Sequence, residues 1–204
     1  MAGVINIAAR DMNGVQIAGV FNYTKRLRGV QIGLINIADT SDGYSIGLIN
    51  IVLKGYHKLA LSANELMLLN ASFKTGNRKL YSILMAGMNP ENDRKLYAFG
   101  YGLGSELYLN KKHSLSLNPE ISSQYLYRGS WNYTNILNRL QLNLAIHISR
   151  HLAIYGGPAF SVFTSDQETG IDGYQFDLPR KGSVHSFSKR TTGWIGWNAG
   201  IHLF

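Results

Sequence analysis

From Tyr56 onward, apolar side chains recur at every second position. Tyr97, Phe99, Tyr101, Leu103, Leu107 and Leu109 fall on one parity, and Ala98, Gly100, Gly102, Gly104 and Glu106 on the other. Leu115, Leu117, Ile121, Tyr125 and Tyr127 then alternate with Ser116, Asn118, Glu120, Ser122 and Gln124, and Leu140, Leu142, Leu144 and Ile146 with Arg139, Gln141, Asn143 and His147. Shorter runs, Leu59-Leu61-Ala63 and Leu69-Ala71-Phe73, keep the same rhythm. A period of two is the signature of a β-strand with two unlike faces. Several runs are longer than the about five or six residues usual in soluble sheets and match the roughly nine to eleven that cross a bilayer at a tilt. The polar parity is rich in Ser, Asn and Gln, which fits a barrel lumen better than a solvated surface.

The first quarter reads differently. Gly3-Val4-Ile5-Asn6-Ile7, Gly19-Val20-Phe21-Asn22-Tyr23, Gly33-Leu34-Ile35-Asn36-Ile37 and Gly47-Leu48-Ile49-Asn50-Ile51 form an internal repeat with starts 16, 14 and 14 residues apart. Such a unit suits either an antiparallel meander or a parallel solenoid, in which the four Asn residues would stack. The meander is preferred, because a coil of this length leaves little room for a filled interior. The repeat begins directly after Met1-Ala2, so the array reads as one shortened at its N-terminus.

Together these patterns predict an all-β fold: a transmembrane up-and-down antiparallel β-barrel of about 12 strands in a single domain, 1–204. Residues 1–54 form the repeat strands and 55–204 the alternating meander, with a long loop at 164–190. The connections alternate between short turns (Thr75 to Arg78, Asn110 to Lys112, Ser149 to His151) and mostly longer loops (Asn89 to Arg94, Arg128 to Thr134, Thr164 to Arg190), as outer-membrane barrels do. The last residues, Trp197 to Phe204, alternate and end in an aromatic, like the assembly signal of such barrels, although Phe204 is out of phase with Ile201 and Leu203.

Composition narrows the picture. Charged residues are only 16% of the 204, Gly (22) and Tyr (12) are abundant and Cys is absent, so there is no disulfide framework and no thiolate metal site. No apolar run is long enough for a membrane helix. The formal charge of +8 is spread over short turns, which fits lipid head groups and solvent rather than a nucleic-acid stripe. Residues 2–6 carry no secretory leader, so an exported chain would be a mature or trimmed form.

The stretch Gly29 to Asn36, Gly-Val-Gln-Ile-Gly-Leu-Ile-Asn, resembles the surface repeat of uncharacterised outer-membrane proteins of Bacteroidetes and spirochaetes. Phe73 to Tyr81, Tyr101 to Leu107 and Leu117 to Glu120 share that resemblance, which covers more than half of the chain. It implies a surface-exposed protein in the outer membrane of a Gram-negative bacterium and brings no catalytic residues.

Candidate chemistry is sparse. Glu106, Glu120, Arg139, Gln141 and His147 fall on the lumen parity of neighbouring strands, where they read either as an acid/base cluster or, with more weight, as an ion-paired filling. The loop 164–190 offers Tyr174, Phe176, Arg180 and Lys181 for binding. The six histidines have no metal-ligand spacing, and the Gly100-Gly102-Gly104 series opens no helix, which argues against a phosphate loop. The expectation is a non-enzymatic outer-membrane barrel that binds at the surface, serves as an accessory subunit of an envelope complex or forms a narrow pore. It needs no cofactor, metal or nucleic acid; its partners are outer-membrane lipid and other envelope proteins. The alternatives are a barrel enzyme hydrolysing lipid and a soluble β-solenoid adhesin. The barrel reading requires Tyr97, Leu117 and Leu142 to face outward and Glu106 and Gln141 inward.

Overall fold

The computed structural model describes residues 1–91, 93–177 and 185–203. It is all-β and has two parts. Seven strands occupy the repeat region: β1 Ile5–Met12, β2 Val15–Ile17, β3 Phe21–Leu27, β4 Val30–Ile32, β5 Ile35–Ser41, β6 Tyr44–Ile46 and β7 Ile49–Val52. Ten follow: β8 Tyr56–Asn64, β9 Leu69–Gly76, β10 Tyr81–Asn89, β11 Leu96–Gly104, β12 Leu107–Tyr108, β13 Leu115–Tyr127, β14 Asn135–His147, β15 Leu152–Ser165, β16 His185–Ser186 and β17 Thr191–Leu203.

The second group closes an antiparallel barrel of eight staves. The order β8-β9-β10-β11-β13-β14-β15-β17 returns to β8, whose Leu59 to Asn64 pair with Leu203 to Asn198 of β17. β12 continues the stave of β11 along β13, and β16 adds a short pairing to β17. The expectation of about 12 strands is corrected to eight in the barrel; the four longer repeat strands counted with them lie outside it.

Those repeat strands also run the other way from the expected meander. β1, β3, β5 and β7 are parallel and in register, with Asn22 beside Asn36 and Asn36 beside Asn50; β2, β4 and β6 form a second parallel sheet across a narrow interior. Amides fill much of the interior. Asn22 Nδ2 donates to Asn36 Oδ1 (2.8 Å), Asn36 Nδ2 to Asn50 Oδ1 (2.7 Å), and Gln31 Nε2 to Gln16 Oε1 (3.1 Å). Each amide offers two donors and an acceptor, so a stack of identical side chains satisfies itself, and Leu27, Ala38 and Val52 are buried in the same coils. Glycine permits the tight stacking: a Cβ at Gly47 would lie 1.9 Å from the Gly33 carbonyl oxygen. The parallel coils are confined to residues 5–52, and the larger part of the chain is the antiparallel barrel.

In the barrel the two parities face opposite sides of the wall. Tyr97 (40% exposed) and Leu142 (47%) face outward with half-buried Leu117, while Glu106 (5%) and Gln141 (7%) point inward. Pro119 and Pro158, which cannot donate to a ladder, sit where pairing to one neighbour lapses. Pro119 is opposite the break between β11 and β12, and Pro158 lies between the pairs Gln141–Ala159 and Leu144–Gly156.

The short connections 77–80, 109–114 and 148–151 share one end of the barrel with the entry into β8 and the end of β17; the connections 65–68, 90–95, 128–134 and 166–190 share the other. The coils lean on the outer wall near the short-turn end. Asn50 Nδ2 donates to Ser82 Oγ (2.5 Å), and Tyr101 donates its hydroxyl proton to the Gly47 carbonyl. Ser82, a polar group on the outward face of β10, is thereby fully covered.

Candidate functional site

The strand alternation that turns leucines outward delivers every second side chain of eight staves into the lumen. At the short-turn end, Lys58 of β8 meets Glu106, between β11 and β12, at 2.7 Å, with the Lys58 ammonium 4.7 Å from the centre of the Tyr56 ring. One layer deeper, Lys74 of β9 lies 2.5 Å from Glu120 of β13, which also accepts the Tyr81 hydroxyl proton (2.7 Å). Lys74 Nζ donates to His202 Nε2 at 3.1 Å, and the His202 ring stacks on Tyr155 with centroids 4.2 Å apart. Such charges are tolerated out of water only when paired and hydrogen-bonded, and each carboxylate here has its ammonium.

Higher up, Arg139 of β14 reaches Glu65 in the β8–β9 turn (3.1 Å), and Glu65 also accepts the indole N–H of Trp194 (3.0 Å) and the backbone N–H of Trp197 (3.0 Å). Beyond this pair the lumen is apolar: Leu66, Met67, Leu96, Leu126, Leu137 and Phe163 pack together with Trp194. Between the layers a polar cavity of about 40 Å³ touches Asn70, Gln124, Gln141 and Asn198, room for about three waters. Above the apolar layer, buried Arg128 donates from Nε to the Gln175 carbonyl (3.0 Å) and from Nη2 to the Phe176 carbonyl, drawing the start of the long loop across the mouth. Among the described residues the ion pairs, the apolar layer and the Arg128 contacts follow one another along the lumen.

Of the residues expected to line the lumen, Glu106, Glu120, Arg139 and Gln141 are inside and buried, and His147 is half-buried at the short-turn end. They do not form one cluster: Glu106, Glu120 and Arg139 belong to three successive ion pairs, while Gln141 lines the cavity between them. Their partners Lys58, Lys74 and Glu65 were not singled out from the sequence, although Lys58 and Lys74 stand on the lumen parity. Tyr174 and Phe176 are ordered against the barrel rather than free: Tyr174 bridges to Lys95, and the Phe176 ring lies 4.9 Å from the Arg128 guanidinium. Arg180, Lys181 and Phe204 lie outside the described residues.

An acid, a histidine and a serine do meet, but not as a relay. Ser116 Oγ (3.0 Å) and Glu106 Oε1 (3.7 Å) both approach the same nitrogen, Nε2 of His147, and Ser116 donates its proton to Asn118 Oδ1 (3.0 Å). A nucleophile and an orienting acid must address opposite ring nitrogens. Below this trio opens a vestibule of about 700 Å³, rimmed by Arg78, Lys112, His113 and Arg150. Arg78 lies 4.8 Å over the Tyr108 ring, and His113 stacks on the same ring at 4.3 Å. Among the described residues no group of acids and histidines is arranged to hold a metal.

The chain matches no family model and no curated protein.

Proposed function

We propose that this protein is an integral outer-membrane barrel with a closed lumen, acting as an anchored binding or scaffolding component of the envelope rather than as a pore. The observation that carries the reading is the inverted distribution of polarity. Lys74 and Glu120 are buried, while Phe73 and Ile121 of the same two strands are open to the surroundings. A water-soluble fold gains stability by the opposite arrangement, at roughly 25 cal/mol per Å² of apolar surface removed from water, and seldom leaves a large contiguous apolar surface exposed. In hydrocarbon the same arrangement is favourable, and ring closure leaves no open sheet edge in the barrel. The longest connection, 166–190, lies at the end opposite 77–80, 109–114 and 148–151, which supports an orientation with those three turns toward the periplasm. The likeness of Gly29 to Asn36 to outer-membrane surface repeats points to the same compartment.

The filled lumen favours binding over transport: ion pairs, an apolar layer and the Arg128-held loop lie in series. The purified protein is expected to need detergent, to migrate faster unheated than boiled on a gel, and to give no unitary conductance in planar bilayers. Solubility as a monomer without detergent would overturn the membrane reading; a stable unitary conductance would overturn the closed lumen alone.

A further inference from the structure

The parallel coils also bury amides, together with Leu27, Ala38 and Val52, and expose apolar side chains. Their interior holds Asn22, Asn36, Asn50 and Gln31, all fully buried, while Val20, Leu34 and Leu48 stack as an exposed column at one corner and Ile32 and Ile46 lie exposed on the short sheet. All eight charged residues of the region fall at 10–11, 25–28, 39–42 and 54, which is the opposite edge of every coil. Arg26 and Asp42 (3.0 Å) and Arg28 and Asp11 (3.3 Å) pair there. Each coil therefore has a charged edge and an apolar edge, separated by an uncharged wall.

Contacts with the barrel fix the height of both edges. The charged edge lies at the short-turn rim, where Lys79 Nζ donates to the Asp42 carbonyl (3.0 Å) and Asn77 donates to Ser41 Oγ (3.2 Å) and the Gly43 carbonyl. The apolar edge lies up the wall, where Tyr101 and Ser82 hold Gly47 and Asn50. Gly47 stands four steps along the strand from Gly43, about 13 Å of rise, which is roughly half of the ~25 Å apolar band of a membrane barrel.

We infer that the repeat coils are a lipid-inserted wedge: the column Val20, Leu34 and Leu48 contacts acyl chains of the leaflet at the short-turn end, with the charged edge at its head groups. The inference rests on the membrane reading of the barrel and extends it to a part of the chain that closes no barrel. Lipid is the occupant because the column continues the apolar outer wall at the same height and the charges stop where that wall stops. In-register pairing and the amide ladders satisfy polar groups that hydrocarbon would leave orphaned. The outer edge of β1 is excepted. Among the described residues β1 has β3 as its only ladder partner, and an open edge is not tolerated in hydrocarbon, so the lipid contact is assigned to the second, third and fourth coils.

The absence of cysteine makes single-site labelling of the full chain direct. Spin labels on Leu34→Cys, Leu48→Cys, Lys25→Cys and Leu142→Cys, with the protein in phospholipid nanodiscs, report access to oxygen from the lipid phase and to a nickel chelate from water. The expected result is oxygen access at positions 34 and 48 equal to that at 142, with nickel access confined to 25. Nickel access at 34 and 48 overturns the wedge. So does screening of both from either reagent, the signature of a covering protein or second copy, while the 142 label still reports lipid. Nickel access at 142 removes the membrane reading itself, and the wedge with it.

Discussion

Lys74 and Glu120 face each other across the lumen at 2.5 Å, with their side chains 2% and 5% exposed. The pair joins β9 to β13, strands that are not neighbours in the wall, and so acts as a strut across the barrel. Among the described residues, Lys74→Met leaves a buried carboxylate answered by the Tyr81 hydroxyl. A loss of about 3–5 kcal/mol is expected, read as a lower unfolding midpoint in detergent and a lower temperature for the gel shift. Lys74→Met with Glu120→Gln should recover most of it; if the double variant is no better than the single, the pairing account fails.

Asn36 is the central rung of the amide ladder, with partners on both sides. Asn36→Ala leaves groups of Asn22 and Asn50 unpaired at about 1–3 kcal/mol each. Hydrogen exchange should accelerate through residues 21–51 while β13 and β14 keep their protection. Equal acceleration in both parts would mean that coils and barrel unfold as one unit.

Arg128 holds the start of the long loop by two backbone carbonyls. Arg128→Ala should free residues 166–177, seen as new protease cuts in that segment with an unchanged gel shift. Resistance equal to that of the parent would place the restraint elsewhere.

Asp42 is exposed, and its hydrogen bond with Arg26 together with the nearby positive charge holds its carboxyl below the ordinary carboxylate range. A lowered value in the folded state stabilises above the ordinary pKa, about 3.9, and that stabilisation is lost as pH falls through the folded value. The charged edge should therefore loosen only in strong acid. In Arg26→Met the Asp42 carboxyl resonance should titrate at higher pH than in the parent; an unmoved midpoint would show that Arg26 is not the cause.

How much of this was legible in the sequence depends on the length scale of the interaction. The two faces of β11, β13 and β14 could be read residue by residue, since a period of two needs only neighbours in sequence. The crowding that keeps residue 104 a glycine was foreseeable in kind: a Cβ there would lie 2.4 Å from the Tyr81 ring. The ion pairs were not legible, because Lys58–Glu106, Lys74–Glu120 and Arg139–Glu65 span 48, 46 and 74 residues, and a partner across a closed ring is set by stave number and shear. The repeat strands are parallel where a meander is expected, because a coil of this length does hold a filled interior of stacked amides with Leu27 and Val52. The equal phase of Asn22, Asn36 and Asn50 argues for a stack in which the amides satisfy one another.

The ladder Asn22-Asn36-Asn50 ends on Ser82, a side chain that the barrel contributes. A coil array is stabilised chiefly through its neighbours and needs a terminal cap, and here that cap is the finished wall of β10 and β11. Folding of residues 5–52 is then expected to follow that of the barrel and to proceed from Val52 back toward Ile5, opposite to the order of synthesis. Pulse-labelled exchange during refolding would register this as protection gained first in residues 44–52 and last in 5–12; the reverse sequence would show that the array assembles without its template.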